Sequence, residues 1–390
     1  RAGKMSDEKF RNVRLARGIY GQRQPGVQMV RIKMPYGKMT FKQWKRVADI
    51  SDEYATSNLH LTTRQDIQIH YVSLDRTPEL WSKLELDKIT IREACSNTVR
   101  NVTASDRAGI DPEEPFDVTP YADAAFRYFL RNPVTQEMGR KIKFGFSSSE
   151  RDTDWSFIND FGMIPKVKIV DGKEVRGFKV LVGGSLGAQP FLGVPVFDFL
   201  ETDKLIPYIE NVLRVFDRYG ERTNRNKARM KFLIQKIGLD EFKGLIEEEY
   251  IAIKVKSVPV DAAAWPETQP PAPNPVLPAY TIKNPAGYEA WKITNTFEQK
   301  QAGYLGAYVK ITLGNISSDK SRQLIEALRS VVADDIRITV NQGLLFKYIL
   351  PEHLPYIYSV LEEVGFADAG FDSFSDITAC PGTDTCNLGI

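Results

Sequence analysis

Apolar and polar residues follow a strand, helix, strand pattern near the start of the chain. Residues 29–34 alternate between the two classes, which is typical of a half-buried strand. Thr40 is a good helix N-cap, and the apolar residues behind it recur at helical spacing. A second strand is predicted over residues 59–71. The apolar positions that indicate the helix are Phe41, Trp44, Val47 and Ala48.

The same order of elements returns near the other end of the chain. A strand is predicted over residues 308–313, a helix after it, and another strand over residues 336–348. Two copies are too few for a solenoid, which needs at least about three repeats. The pattern therefore predicts one half-domain used twice, as a pseudo-dimer. Superposing the copies pairs Arg31 with Lys310, Thr62 with Thr339, Arg64 with Asn341 and Gln65 with Gln342.

Between the two copies the pattern changes to mixed strand and helix. A proline-rich stretch then runs from Pro259 to Pro285. Closely spaced prolines resist regular structure, so this stretch predicts an extended strap that leads to the second copy. Strands are predicted over residues 141–146 and 177–182, and helices over residues 204–219, 225–237 and 240–250.

The composition limits the classes of function. Of 390 residues, 42% are apolar and 26% are charged, which suits two or three globular domains. The 52 basic and 50 acidic side chains leave a net charge of +2, which argues against a broad nucleic-acid or membrane surface. No apolar run reaches the roughly 20 residues of a membrane span. Three cysteines cannot build a disulfide framework, so a reducing compartment, the cytoplasm, is expected.

Two of the three cysteines, Cys380 and Cys386, flank a Pro-Gly turn. Such a pair can place two thiolates on one soft metal centre, and thiolates hold iron–sulfur clusters. The pair is half of a four-thiolate set, and two unligated thiols would give the same sequence. Cys95 lies in an apolar helical segment, which predicts a buried and inert thiol.

Basic residues are concentrated at the ends of predicted strands. Lys141 and Lys143 are two positions apart on one strand, so their side chains leave the same face. Two ammonium groups on one face favour an anion between them, although lysines on a half-solvated strand give the same pattern. The other basic residues able to converge are Arg31, Arg64, Arg100 and Arg229.

Two further motifs stay open between a binding and a structural role. Residues 183–187 form a glycine loop after an apolar strand, without the spacing of a phosphate-binding loop. Its amides suit carboxylates or phosphates, and a plain tight turn uses the same glycines. His60 and His70 flank the Arg64 segment with no third ligand, which favours ordinary strand residues over a metal site.

Taken in order, these motifs resemble the sirohaem-containing sulfite and nitrite reductases, from Gly18 onward. The resemblance covers both half-domains and a first sirohaem-binding domain between them. The cysteine pair resembles the first two of four thiolates on a [4Fe-4S] cluster. The segments that carry the resemblance are residues 29–33, 62–65, 97–102, 140–143, 182–187 and 338–342.

The resemblance implies an α+β fold. Its parts are two ferredoxin-like half-domains in a pseudo-symmetric repeat, a mixed α/β sirohaem-binding domain and the start of a second one, with the chain truncated at its C-terminal side. The implied boundaries are an N-terminal extension over 1–17, half-domains over 18–85 and 298–366, the sirohaem-binding domain over 91–250, the proline-rich connection over 251–297, and the start of the cluster domain over 371–390.

The resemblance also implies roles for single residues. Sirohaem carries many carboxylates, so a protein that buries it must supply cations and amide donors. The residues that match contacts to the macrocycle are Thr62, Thr63, Arg64, Gln68, Gly183, Gly184, Arg229 and Gln342. The residues that match the basic set around the substrate anion are Arg31, Arg100, Lys141 and Lys143. The implied cluster ligands are Cys380 and Cys386.

The implied activity is the six-electron reduction of sulfite to sulfide. Reduction of nitrite to ammonia is the alternative, and a non-catalytic member of the fold is a second one. Lys143 favours sulfite, because plant-type nitrite reductases commonly carry asparagine there. The expected electron donor is ferredoxin or a separate flavoprotein, with no nucleic-acid or membrane partner.

Three departures from the family pattern limit the resemblance. His60 stands where some relatives have an arginine, and Asn341 stands opposite Arg64. The family's second cysteine pair is absent from the sequence. The chain is therefore expected to be inactive alone.

Overall fold

The computed structural model describes residues 4–387 and residue 389. The chain divides into two compact units that alternate along the sequence. Residues 18–91 and 266–390 form the half-domain unit. Residues 1–17 and 92–265 form the central unit.

The elements of the half-domain unit include ten of the strands in the described residues. Its strands are β1 Ile19–Gly21, β2 Val27–Ile32, β3 Lys38–Met39, β4 Asn58–Leu61, β5 Ile67–Ser73, β11 Thr296–Glu298, β12 Leu305–Val309, β13 Asn315–Ser317, β14 Ile336–Ile338 and β15 Leu344–Ile349. Its helices are α2 Phe41–Tyr54, α3 Thr77–Glu85, α8 Pro285–Asn295, α9 Ser318–Leu328 and α10 Leu354–Val364.

The central unit contains the remaining elements. Its strands are β6 Val99–Ala104, β7 Ile142–Phe146, β8 Phe161–Val170, β9 Lys173–Val182 and β10 Val194–Glu201. Its helices are α1 Asp7–Leu15, α4 Thr119–Phe129, α5 Thr202–Tyr219, α6 Met230–Ile237 and α7 Leu239–Ala252.

The half-domain unit has two five-stranded sheets, and each sheet takes its last strand from the other copy of the repeat. One sheet has the order β1-β2-β5-β4-β13, and the other has the order β11-β12-β15-β14-β3. β13 pairs antiparallel with β4, and β3 pairs antiparallel with β14. The predicted repeat is therefore confirmed, and the copies are joined by backbone hydrogen bonds.

One constant offset in sequence relates the two copies. It matches Gly37 with Gly314, two glycines with φ of 69° and 71°. It also matches Thr40 with Ser317, the residues that cap α2 and α9 with their side chains. The turn and the helix start are thus built in the same way in both copies.

The same offset corrects one predicted pairing of residues. In the first sheet Arg31 pairs with Gln68, and in the second sheet Tyr308 pairs with Leu345 at the equivalent place. Arg31 therefore matches Tyr308, and its predicted match with Lys310 is wrong. Side chains two residues apart leave the same face of a strand, so polarity alone does not separate the two registers.

Residues 59–71 and 336–348 were each expected to form one strand, and both are hairpins. At the first turn the Thr62 N–H donates to Asp66 O at 3.0 Å, and Thr62 Oγ1 accepts from the Asp66 N–H at 3.2 Å. The turn uses a left-handed residue, Gln65, with φ of 55°. Glutamine is not a usual turn residue, so the turn has no signature in the sequence.

Amphipathic helices cover the two sheets. Thr40 Oγ1 accepts from the Gln43 N–H at 3.2 Å, and Gln43 Oε1 accepts from the Thr40 N–H at 3.0 Å, which together form a capping box. Trp44 and Val47 on α2 are fully buried. The helix predicted behind Thr40 is confirmed, and its apolar face joins that of α9 in one hydrophobic core.

The central unit contains one sheet with the order β10-β9-β8-β7-β6. β6, β7 and β8 are parallel, whereas β8, β9 and β10 are antiparallel neighbours. The N-terminal ends of β6 and β7 therefore lie at the same end of the sheet. The helices predicted over residues 204–219 and 240–250 are confirmed as α5 and α7. The helix predicted over residues 225–237 begins only at Met230.

The proline-rich stretch has no helix or strand between residues 253 and 284. α8 begins at Pro285, where the missing N–H of proline leaves no helical hydrogen bond unmade. Among the residues described, no helix has the length and apolar character of a membrane span.

Candidate functional site

A row of four polar side chains crosses the sheet of the first half-domain. Gln68 of β5 lies between Arg31 of β2 and His60 of β4, and His60 pairs with Asn315 of β13. Paired residues on neighbouring strands present their side chains on one face. With its amide oriented to satisfy its neighbours, Gln68 accepts from Arg31 Nε at 3.2 Å and from Nη2 at 2.7 Å. We call these four residues the polar row.

The polar row contains no carboxylate. His60 Nδ1 lies 3.1 Å from Asn315 Oδ1, and the rings of His60 and His70 are 6.4 Å apart between centroids. Burial lowers the pKa of His60, with a further contribution from Arg31. Burial, and then the charges of His60 and Arg31, lower the pKa of His70 to about 4. Both rings are therefore neutral at pH 7, and the net charge of the row is that of Arg31.

A pocket of about 720 Å³ opens beside the polar row. Asn58, His70 and Asn315 line it from the sheet, and Cys380 and Thr383 line it from the cysteine segment. The structure therefore brings one predicted cluster ligand and one member of the polar row, Asn315, to the same pocket within the half-domain unit.

Gln342 links the polar row to the cysteine segment. Its Nε2 lies 3.5 Å from His60 Nε2 and donates to Ala379 O at 2.8 Å. Its Oε1 accepts from the Ala379 N–H at 2.7 Å. Ala379 immediately precedes Cys380, so the amide that was predicted to contact a cofactor is engaged with the backbone of the cysteine segment.

The predicted cofactor contacts of the first half-domain lie in and after its hairpin turn. Thr62 Oγ1 accepts from the N–H groups of Arg64 and Asp66, each at 3.2 Å. Thr63 is exposed and Arg64 is partly exposed. The Thr62 hydroxyl therefore holds the turn, while the next two side chains are accessible.

The basic residues of the central unit lie at the shared start of two parallel strands. Arg100 Nε donates to Ser96 O at 2.8 Å and Nη1 donates to Ala94 O at 3.1 Å, which fixes the guanidinium. Lys141 and Lys143 are half-exposed, and the residue between them is fully buried. The prediction that the two lysines share one face is confirmed.

A buried aspartate connects three of the predicted site residues of the central unit. Asp160 Oδ1 accepts from Arg229 Nε at 3.2 Å, and Oδ2 accepts from Arg229 Nη2 at 2.8 Å. The same Oδ2 accepts from the Lys143 N–H at 2.8 Å, and Asp160 O accepts from the Gly183 N–H at 2.9 Å. Asp160 is fully buried, so it holds Arg229, the start of β7 and the glycine loop together.

Close packing explains the two glycines of the loop after β9. Gly183 has φ of 80°, and a Cβ there would lie 2.7 Å from Ile234 Cδ1. A Cβ on Gly184 would lie 2.2 Å from Phe157 O and 2.6 Å from Asn159 O. Both positions need glycine for the fold itself, which is the tight-turn interpretation of this motif.

Sequence reasoning missed several residues that shape these sites. Asp160 directly precedes a buried strand, and only the parallel pairing of β7 with β8 brings it to Lys143. Asn315 reaches the polar row through the exchanged strand. A systematic comparison of the two copies would have found Asn315, because its equivalent, Lys38, is also a polar residue on an exchanged strand.

Comparison with known families agrees with this arrangement. The family described as "Nitrite/Sulfite reductase ferredoxin-like half domain" matches residues 20–86 and 297–364. The family described as "Nitrite and sulphite reductase 4Fe-4S domain" matches residues 95–254. Both half-domains and the central region are thus recognised separately, and together the matches cover more than half of the chain. Cys380 and Cys386 lie outside the matched ranges.

Similar proteins include reductases of both anions. An assimilatory ferredoxin-dependent nitrite reductase of Haloferax mediterranei is 25% identical over 96% of this chain and 64% of its own length. A ferredoxin sulfite reductase of Mycolicibacterium paratuberculosis is 25% identical over 93% of this chain and 60% of its own length. The chain thus spans less than two thirds of the length of these relatives.

A solved structure supports the fold. The Mycobacterium tuberculosis NirA protein is 23% identical, with a TM-score of 0.79 over 98% of this chain and 68% of that protein. Sirohaem and a [4Fe-4S] cluster, the cofactors expected from the sequence, are those of the family. With two half-domains that exchange strands and a central domain between them in sequence, the chain belongs to the nitrite and sulfite reductase family.

Proposed function

We propose that this chain binds sirohaem and part of a [4Fe-4S] cluster for the six-electron reduction of sulfite to sulfide. The observation that carries the proposal is a continuous series of contacts in the half-domain unit. It runs from Arg31 through Gln68 and His60 to Gln342, and from there to the residue before Cys380. An anion-binding group and a thiolate ligand are thereby held in one framework.

The side chains of the polar row suit a cofactor that carries carboxylates. The polar row supplies a guanidinium, an imidazole and two amides, and it has no carboxylate to repel an anion. Gln68 and Arg64 are proposed to bind the macrocycle together with Thr62 and Thr63. In the central unit, Gly183, Gly184 and Arg229 are proposed for the same task. When bound, sirohaem and the cluster supply the electron chemistry, and the protein positions them.

Basic side chains are proposed to bind the substrate anion and to relay protons. In the half-domain unit the residue proposed for this role is Arg31, whose guanidinium is oriented by Gln68. In the central unit the residues are Arg100, Lys141 and Lys143. Oxygen atoms of sulfite leave as water, so each reduction step needs protons delivered to a bound anion. Cationic donors stabilise the anion and orient the water that carries those protons.

Cys380 and Cys386 are proposed as cluster ligands. Cys380 is exposed and Cys386 is half-buried, so both thiols are accessible. The third cysteine of the sequence, Cys95, is buried in the other unit. A four-thiolate cluster therefore needs thiolates from outside this sequence, and the chain is proposed to be inactive without them.

Sulfite is proposed over nitrite because of Lys143. A lysine supplies a full charge and three donors to a highly charged anion, whereas an asparagine supplies a neutral amide. Ferredoxin is the proposed electron donor, as the names of the relatives indicate for those proteins, with a separate flavoprotein as the alternative. Three cysteines without a disulfide suit the cytoplasm, which is the proposed location.

The test measures anion binding instead of turnover. The chain, produced in cells that make sirohaem, is expected to show the visible absorption of a bound tetrapyrrole, and sulfite and nitrite are titrated against that absorption. Lys143→Asn is expected to weaken sulfite binding by about tenfold, since a charged hydrogen bond contributes about 1.5 kcal/mol or more. Nitrite binding should change by less than about threefold.

Lys173→Asn is the matched control, because Lys173 is an exposed lysine at the start of β9. It removes the same charge and should leave both affinities unchanged. Equal losses for the two anions in Lys143→Asn would favour nitrite as the substrate. A protein without tetrapyrrole absorption would contradict the proposal and favour a non-catalytic member of the family.

A further inference from the structure

The segment that carries the two cysteines is hydrogen-bonded to the half-domains on both sides of the pair. We propose that Gln342 is a positioning residue that fixes Cys380, while Arg23 and Gln24 fix the part of the loop next to Cys386. The inference rests on the proposed function only in taking these thiols as cluster ligands. It assigns Gln342 to the cysteine segment and not to the macrocycle.

Gln342 binds the backbone next to Cys380 through every polar atom of its amide. Nε2 donates to Ala379 O at 2.8 Å and to Leu61 O at 2.9 Å. Oε1 accepts from the Ala379 N–H at 2.7 Å. Ala379 is thus held through both its N–H and its carbonyl group, as a residue in a β-ladder is. The side chain is 2% exposed, so these bonds form away from competing water.

The turn that carries Gln342 is rigid. The Gln342 N–H donates to Thr339 O at 3.1 Å, and the Gly343 N–H donates to Thr339 Oγ1 at 2.9 Å. The residue has φ of 66°, in the left-handed region. A side chain on such a turn starts from a fixed Cα position, so it can hold the cysteine segment without adjusting itself.

Gln65 is the equivalent residue of the first half-domain, and its amide lies in the same kind of place as that of Gln342. A Cβ added to Gly314 would lie 2.5 Å from Leu61 O and 2.9 Å from Gln342 Nε2. A Cβ added to Gly37 would lie 2.6 Å from Ile338 O and 3.0 Å from Gln65 Nε2. The amide beside the opposite strand is therefore common to both copies. The two bonds from Gln342 to Ala379 are the additional feature that acts on the cysteine segment.

The stretch between the two cysteines is held by Arg23 and Gln24, which lie between β1 and β2. The Arg23 N–H donates to Thr385 O at 2.8 Å, and its Nη1 donates to Thr383 O at 3.0 Å. Gln24 Nε2 donates to Asp384 O at 2.7 Å. Within the loop, the Cys386 N–H donates to Gly382 O at 2.9 Å. Four carbonyl groups around the two thiols are thus engaged.

Two thiolates that share one cluster must be held at a fixed separation. A flexible loop would lose conformational freedom when the metal binds, and that loss weakens binding. A loop already fixed on both sides loses less. The purpose of Gln342 is therefore preorganisation of Cys380 before any cluster is present.

The experiment measures alkylation of each thiol in the 390-residue chain after bound iron has been removed with a chelator. Iodoacetamide labelling is followed by peptide mass spectrometry at Cys380, Cys386 and Cys95. Gln342→Ala is expected to raise the labelling rate of Cys380 by about tenfold, since two or three hydrogen bonds to the segment are lost. The rate at Cys386 should rise by less than about threefold, because Arg23 and Gln24 still hold its side of the loop. Arg23→Ala removes the guanidinium bonds to Thr383 O and, beyond Cys386, to Gly389 O, while the backbone bond to Thr385 O stays. The labelling rate should therefore rise more at Cys386 than at Cys380.

Cys95 is the internal control for general loosening, because it is buried in the other unit and should label slowly in every variant. Gln65→Ala is the matched control, since it removes the equivalent buried amide and should leave Cys380 unchanged. Gln342→Met keeps the length of the side chain and loses all of these hydrogen bonds, so its effect should match that of Gln342→Ala with less loss of packing. It also serves if Gln342→Ala does not fold.

A uniform rise at all three thiols, or an unchanged rate at Cys380, would overturn the inference. Iron content is measured separately on the chain before chelation. A chain that never contains iron would contradict the proposed cluster, while the ratio of labelling rates would still decide whether Gln342 fixes Cys380.

Discussion

Four equivalent strand positions carry neutral side chains in the first half-domain and charged side chains in the second. Their pairing in the sheets is the same, since His60 pairs with Asn315 where Arg337 pairs with Lys38. His60 and Asn315 of the polar row therefore have structural counterparts with a different chemical character. The equivalent pairs are Asn58 and Asp335, His60 and Arg337, His70 and Lys347, and Asn315 and Lys38.

In the second half-domain a buried carboxylate, that of Asp335, is paired with three cations. Asp335 Oδ1 lies 2.7 Å from Arg337 Nε, and Oδ2 lies 3.2 Å from Lys38 Nζ and 3.9 Å from Lys347 Nζ. Thr268 of the proline-rich strap donates to Oδ2 at 2.7 Å. Burial alone would raise the pKa of Asp335, but the three cations hold it well below its usual range.

In the first half-domain three of the four positions, Asn58, His70 and Asn315, border the pocket that also contains Cys380. Asn58 Nδ2 donates to Asn315 Oδ1 at 3.3 Å, a bond between neutral groups. One copy therefore uses these strands for internal stability. The other copy keeps the four positions neutral and presents three of them to a pocket.

The largest expected difference in stability between the two copies comes from removing the carboxylate of Asp335. Asp335→Asn removes the carboxylate with which the buried Arg337 and Lys347 are paired, and breaking a buried ion pair costs about 3 to 5 kcal/mol. The free energy of unfolding, measured with urea, should fall by that amount. Asn58→Ala removes only a hydrogen bond between neutral groups at the equivalent position and should cost about 1 kcal/mol. Equal losses would show that the two clusters contribute alike.

A smaller loss of stability, equal in the two copies, is expected from alanine at the turn glycines Gly37 and Gly314. Gly37→Ala and Gly314→Ala each combine a left-handed φ with a Cβ within 2.6 Å and 2.5 Å of a carbonyl oxygen. Each should lower the free energy of unfolding by about 3 kcal/mol, from the strained φ and the steric overlap together.

Gly26 and Gly303 are matched controls for the turns, because they occupy equivalent positions with φ of 82° and 84° and have no atom within 4 Å of an added Cβ. Alanine there should cost only the strain of the left-handed conformation, about 1 to 2 kcal/mol. Losses at the control sites as large as those at Gly37 and Gly314 would remove the steric part of the argument.

The smallest expected loss of stability depends on pH and comes from His70, which belongs to the first copy. His70 has a native pKa of about 4, so below about pH 6.5 the unfolded chain binds a proton that the native chain does not. The free energy of unfolding should therefore fall by about 1 to 2 kcal/mol from about pH 7.5 to about pH 5 through this residue. His70→Gln should remove that part of the decrease.

Asp335 provides the contrast for this measurement. Its lowered pKa places its titration below the usual value of 3.8, outside the pH range used. The second half-domain cluster should thus contribute nothing to the slope, and Asp335→Asn should lower stability equally at both pH values. An unchanged slope in His70→Gln would mean that the ring is accessible to protons in the native chain.

The parts of the fold that could be predicted are those with a strong local signal. α2 has apolar residues at helical spacing behind a capping box, and Lys141 and Lys143 obey the two-residue period of a strand. The hairpin turns were missed because Gln65 and Gln342 occupy positions that usually require glycine or asparagine.

The site could be predicted only as a set of residue types. Spacing singled out Cys380 and Cys386 as candidates, and charge singled out Arg31. The pairing of Arg31 with Lys310 matched one cation with another, whereas the sheets match Arg31 with Tyr308. Tyr308 instead stacks on Phe371, with ring centroids 3.8 Å apart. Contacts such as that of Asp160 with Arg229 join distant parts of the chain, and no local pattern encodes them.

The exchanged strands protect the sheet edges of each copy against aggregation. β4 and β14 would otherwise be open sheet edges, and an open edge is a template for aggregation. Each is covered by a short strand from the other copy. A solitary copy could cover its edge only by recruiting a second molecule, which would make its protection depend on concentration. With both copies in one chain, the cover is present at any concentration.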